Sequence, residues 1–148
     1  MGMLAKLNHK VFLRQDLISG FYGLLRDRFW YPSLDQSITP NSDYFMALLW
    51  KRLLGVGVLS AVPGNTTSAH GRTQTADGLI TYAHCSRDSE RDAGGGLAVV
   101  IINYLNTSAS AGVRLGNATV SDGTRHDYVL TAVTAPSDQG VRCNGATM

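Results

Sequence analysis

From Gly55 onward the chain is written in short apolar runs, each closed by a cluster of Gly, Ser, Asn or Asp, and this texture limits its fold more than any other feature. The runs cover 56–62, 79–85, 97–105, 111–115 and 127–133. Runs this short, rich in Val, Ile, Leu and Thr and bounded by turn formers, suit strands, whereas a helix needs a longer pattern of period 3.6. Their spacing predicts an antiparallel β-sandwich. The stretch 97–102 is apolar at every position, which predicts a central strand rather than an edge. No internal repeat is visible.

Before Gly55 the texture is mixed α/β. Residues 10–18 read as a strand ended by Ser19 and Gly20, and 26–41, with Pro32 and Pro40 and no apolar period, as a loop. Asn41, Ser42 and Asp43 offer N-cap side chains ahead of a helix over 44–54, with Gly55 as its stop. The apolar residues of that helix wrap most of its circumference, and its only charges, Lys51 and Arg52, lie near its C-terminal end, so it is expected to be mostly buried.

Composition excludes several functions. Thirteen basic and 11 acidic residues, net +2, are scattered without the basic cluster that phosphate neutralisation needs, so no nucleic-acid partner is expected. The longest apolar run, 44–50, is far short of the ~20 residues needed to span a bilayer. Residues 1–10 lack the apolar run of a signal peptide. Sequons at Asn65, Asn106 and Asn117 sit in turn-rich text and are candidate glycosylation sites, which favours a secretory parent. Cys85 and Cys143 allow one disulfide or none. His84 and Cys85 have no second cluster at ligand spacing, so neither a metal nor a cofactor is expected. His9, His70 and His126 lie in polar or loop text and read as surface. Glu90 is the sole glutamate, and it lies in the solvated charge run 86–92.

Several strings occur in an order that is specific as a set: Lys10-Val11-Phe12-Leu13-Arg14-Gln15, Gly20-x-Tyr22-Gly23-Leu24-Leu25, Pro40-Asn41-x-Asp43-Tyr44 and Ala47-Leu48-Leu49-Trp50-x-Arg52-Leu53. Further on come Gly55-x-Gly57-Val58-Leu59, Tyr82-Ala83-His84-Cys85, Val99-Val100-Ile101-Ile102-Asn103, Tyr128-Val129-Leu130-Thr131 and Asn144-Gly145. Together they resemble the heparanase-like glycoside hydrolases, family 79, and more closely the plant branch. The resemblance implies a (β/α)8 barrel with an attached β-sandwich. Residues 1–54 would be the C-terminal end of the barrel, with its last βα unit, and 55–148 an incomplete sandwich domain. It also implies retaining hydrolysis of β-glucuronides by two glutamates about 5–5.5 Å apart. Both family glutamates fall upstream of anything matched here, so the chain is expected to be an internal fragment with no catalytic residue of its own, needing the missing barrel portion. The segment 26–39, with Phe29, Trp30 and Tyr31, departs from the family pattern.

The resemblance assigns substrate binding to Gly20 and Tyr22, at the mouth of the eighth barrel strand, where the tyrosine hydroxyl would help hold a uronic acid carboxylate. Phe21 replaces the more usual Asn. Arg14 and Gln15 match the family's Arg-Gln pair and are expected to act as structural support, while Asp16 reads as a loop-bonding acid. Cys85 matches a sandwich cysteine whose partner lies outside this chain; Cys143 stands at an aliphatic position. The implied partner is a glucuronic-acid-containing glycan, with peripheral membrane association of the parent. The implied location is secreted, cell-wall or extracellular, lysosomal or vacuolar, or membrane-associated. A rival reading is a non-enzymatic β-sandwich module binding carbohydrate or protein through Phe29, Trp30 and Tyr31.

Overall fold

The structure, a computed structural model of residues 1–148, describes residues 1–18, 20, 22–29, 31–33, 38–61, 78–87, 96–105, 107–116, 124–135 and 140–148. In chain order the elements are α1 (Gly2–Lys6), β1 (Leu25–Asp27), β2 (Ile38–Pro40), α2 (Ser42–Leu53), β3 (Leu54–Leu59), β4 (Leu79–Ser86), β5 (Leu97–Asn103), β6 (Leu130–Ala132), β7 (Val141–Cys143) and β8 (Ala146–Thr147). The strands form three sheets, β1-β2, β3-β4-β5 and β6-β7-β8, and all their ladders are antiparallel. Two compact units emerge: Met1–Leu13 with Leu49–Val113, and Arg14–Leu48 with Arg114–Met148.

In the first unit, β4 and β5 pair residue for residue from Leu79 opposite Asn103 to Cys85 opposite Leu97. Strand β3 is less regular. Leu54 faces Ser86 and Val58 faces His84, so β3 bulges over Gly55 and Gly57. A Cβ on Gly57 would stand 2.8 Å from Cys85 Sγ, which explains glycine at that crossing. Gly2 of α1 lies against the Tyr82 ring with no room for a Cβ. The strand expected at the centre, 97–102, is instead at the edge of the sheet as β5, and β4 is central. Leu97 and Ile101 are accordingly 38% and 42% exposed. A uniformly apolar strand states what its faces can bury, but strand order depends on which neighbours lie alongside.

The second unit corrects more of the sequence reading. Residues 26–41 are not a plain loop: β1 and β2 pair Leu25 with Pro40, Arg26 with Thr39 and Asp27 with Ile38. Strands of three residues are too short to leave a period in the sequence. Residues 10–18, by contrast, form no named strand. A strand exists only where a ladder partner runs beside it, and this segment meets one at its end, through Leu24 N–H to Asp16 O (3.0 Å), Leu25 N–H to Leu17 O (2.8 Å) and a parallel bridge between Ile18 and Leu25. That bridge is the sole parallel pairing among the described residues.

Helix α2 begins at Ser42 and ends at Leu53, earlier at both ends than expected, and the chain enters β3 at Leu54 without using Gly55 as a stop. Its N-terminus follows Asn41, whose carbonyl accepts the Tyr44 N–H at 3.1 Å. Of its residues Phe45 alone is buried, at 8% exposure, and most of the others are half-buried, so the expectation of a mostly buried helix is corrected. An apolar circumference permits burial without providing a partner for it.

In the β6-β7-β8 sheet, Asn144 (φ +51°) and Gly145 (φ +85°) join β7 to β8. Positive φ at both central residues is the signature of a type I′ hairpin turn. The Asn144 side chain also accepts from Val129 N–H and donates to Asp127 O, both at 2.8 Å, while its own N–H donates to Val129 O at 2.9 Å. These bonds replace a regular ladder before β6. The strand expected over 127–133 is therefore reduced to Leu130–Ala132. The strand expected at 111–115 is absent. Asn144→Ala should cost about 1–3 kcal/mol, from two lost hydrogen bonds and a left-handed residue without Asn's local compensation. Asn144→Gly, which removes the side-chain bonds and relieves the backbone, should cost less, as read from denaturant midpoints.

Candidate functional site

The segment from Arg14 to Asp43 builds one cluster inside the second unit. Gly20 takes φ +71°, a conformation in which a side-chain-bearing residue is strained, in the loop between Ile18 and Leu25, which meet in a parallel bridge. The Arg14 guanidinium is the hub. Its Nη1 donates to Gln15 O at 2.7 Å, and its Nη2 donates both to Tyr22 O and to Asp43 Oδ2, each at 2.7 Å. Asp43 stands in the first turn of α2, where a carboxylate also suits the helix dipole. Asn41 completes the arrangement through Nδ2 to Gly23 O at 2.5 Å and N–H to Leu24 O at 2.8 Å.

Two consequences follow for chemistry. The Arg14 charge is already paired with Asp43, with side chains 36% and 45% exposed, so Arg14 is not an uncommitted cation for an anionic ligand. Tyr22 is 55% exposed, its backbone is held at its own carbonyl by Arg14, and its phenol is a hydroxyl donor. Gln15 is exposed, contributing its carbonyl to Arg14, and Asp16 is half-buried. The sequence marks Asn41 and Asp43 as helix-capping residues and as part of the string Pro40-Asn41-x-Asp43-Tyr44. Their second role, gripping the Gly20 loop, had no sequence signal beyond a polar pair ahead of the helix.

Elsewhere, His84 is 3% exposed, donates Nδ1–H to Gly55 O at 3.0 Å and meets the Trp50 ring edge-on at 5.2 Å and 79°. It serves the β3 bulge. Cys85 and Cys143 are half-buried free thiols. His9 and His126 are exposed. Phe29 is 81% exposed, and Tyr31 lies 5.8 Å beneath the Arg26 guanidinium. Arg125 is held above its ordinary pKa by its hydrogen bond to Asp127 and by that carboxylate's charge, and it is fully exposed. Among the described residues no three His, Cys, Asp or Glu side chains group as metal ligands, and no helix is long and apolar enough to cross a membrane. Phe21, Trp30, Asn65, His70, Glu90, Asn106 and Asn117 lie outside the described residues.

No family model matches the chain. Individual proteins do. Heparanase-like protein 1 of Arabidopsis thaliana is 38% identical over 108 residues, which is 73% of this chain and 16% of that protein. Baicalin-beta-D-glucuronidase of Scutellaria baicalensis is 31% identical over 134 residues, 90% of this chain and 20% of that protein. The chain belongs to the heparanase-like glycoside hydrolases. Membership in the heparanase-like family does not itself establish activity, because human Inactive heparanase-2 is also 31% identical, over 131 residues covering 88% of this chain and 20% of its own length. The chain spans a fifth or less of the length of these relatives.

Proposed function

We propose that this chain is the segment of a heparanase-like β-glucuronidase that supplies one wall of its uronic acid pocket, within a parent that hydrolyses glucuronic-acid-bearing polysaccharide or proteoglycan glycans. The observation that carries the reading is Tyr22: an exposed phenol, two residues after a left-handed glycine, on a loop clamped by Arg14. A uronic acid carboxylate needs donors that a neutral sugar does not, and the Tyr22 hydroxyl is one. Arg14 and Gln15 support the loop, and Gly20 gives it its left-handed turn. In this reading residues 1–54 close a (β/α)8 barrel and 55–148 begin its sandwich. The nucleophile and acid/base carboxylates come from elsewhere in the parent. The parent is secreted or membrane-associated, carries glycans at Asn65, Asn106 and Asn117, and pairs Cys85 with a cysteine outside this chain.

Kinetics of the full-length protein containing this chain test the assignment. Tyr22→Phe should weaken transition-state binding of a glucuronide by about 1.5–3 kcal/mol, the worth of a hydrogen bond to a charged group, and leave the matching glucoside nearly unchanged. Equal losses on both substrates would remove Tyr22 from the carboxylate site.

A further inference from the structure

Three successive carbonyls in the Gly20 loop are bound by donors outside it: Tyr22 O by Arg14 Nη2 at 2.7 Å, Gly23 O by Asn41 Nδ2 at 2.5 Å and Leu24 O by Asn41 N–H at 2.8 Å. The first of these donors is itself anchored, since Arg14 Nη2 also reaches Asp43 Oδ2 at 2.7 Å. Asn41 and Asp43 bracket Ser42, where α2 begins, so the orientation of the loop is set by the start of that helix. A guanidinium is a rigid planar fork, and fixing one N–H on a carboxylate fixes the direction of the others. A side chain leaves the backbone in a direction set by its local φ/ψ, so holding the Tyr22 carbonyl also restricts where its phenol points.

We infer that Asp43, acting through Arg14, and Asn41, acting on Gly23 and Leu24, are positioning residues that aim the Tyr22 hydroxyl at the carboxylate of a uronic acid. Asp43 adds a negative charge that would repel that carboxylate, and its pairing with Arg14 neutralises it. The inference rests on the reading of Tyr22 as a carboxylate donor. Neither Asn41 nor Asp43 is a ligand of the sugar in this account; each contributes accuracy of placement, and small misplacements of a binding group are costly.

A double-mutant cycle in the full-length protein tests it, using Tyr22→Phe, Asp43→Asn and the pair of substitutions together. The reading in each case is the ratio of kcat/KM for an aryl glucuronide to that for the matching glucoside, with the thermal midpoint measured alongside. Asp43→Asn should lower the ratio about tenfold, mainly through a higher KM for the glucuronide, and should lower it no further once Tyr22 is Phe. Additive losses in the double variant, or an unchanged ratio in Asp43→Asn, would overturn the positioning role while leaving Tyr22 in place. An unchanged ratio in Tyr22→Phe would instead sink the carboxylate reading, and the positioning role with it. Should Asp43→Asn not fold, Arg14→Lys takes its place in the cycle: a lysine keeps the charge opposite Asp43 but lacks the fork that spans Gln15, Tyr22 and Asp43 together, so the same coupled loss is expected and additivity is again the overturning result.

Discussion

Expressed by itself, the 148-residue chain is expected to turn over no β-glucuronide and to associate rather than unfold as a cooperative monomer. Retaining glycoside hydrolysis needs two carboxyl groups about 5–5.5 Å apart across the scissile bond. The chain has one glutamate, Glu90, and ten aspartates, of which Asp43 and Asp127 are paired with arginines. Association has a separate cause. Among the described residues the buried apolar side chains are Phe45, Leu79 and Val141, while Leu13 is 87% exposed, Val56 89%, Val11 69% and Phe12 50%. Among the described residues strand β5 also has no partner on its outer edge, and it carries no charge or proline to discourage pairing with another chain. Light scattering, calorimetry and a fluorogenic glucuronide assay on the purified chain check both expectations. A cooperative monomer would contradict the stability argument, and turnover abolished by Glu90→Gln would contradict the catalytic one.

Phe45→Ala in the full-length protein should cost about 3–5 kcal/mol, the range for a buried phenylalanine cut to a methyl group. Phe45 is the buried residue of α2, and its ring meets that of Tyr44 edge-on at 5.5 Å, a geometry that adds to burial. Leu48, Leu49 and Leu53, in the same helix, are half-buried, and Leu49→Ala should therefore cost less than Phe45→Ala. Midpoints of chemical denaturation for the two variants give the comparison. A loss from Phe45→Ala no larger than that from Leu49→Ala would show that burial in α2 is not concentrated at this residue.

Much of the local structure was legible. Short apolar runs and turn clusters located β3, β4 and β5 to within a few residues, and the polar residues before Tyr44 marked the start of α2. These signals are local: a strand needs a run of suitable residues, and a helix needs a cap and a period. The Asn144-Gly145 turn was equally available, since an Asn-Gly pair is a strong hairpin signal. Identifying the family was also within reach of sequence, because ordered matches along a chain are specific even where each motif alone is weak.

The tertiary structure decided whatever depends on partners distant in sequence. Strand order placed the most apolar run at an edge, because ladder position is fixed by neighbours and not by composition. The segment 10–18, strand-like in composition, lacks a ladder over most of its length because few residues run beside it. The candidate site shows the division most sharply. The sequence by itself supplied the candidates, Gly20, Tyr22 and Arg14, since their types set conformational freedom, hydroxyl donation and a forked charge. Only folding brought Asp43, 29 residues from Arg14, to within 2.7 Å of it, because a hydrogen-bonded loop needs donors from another element to hold its direction.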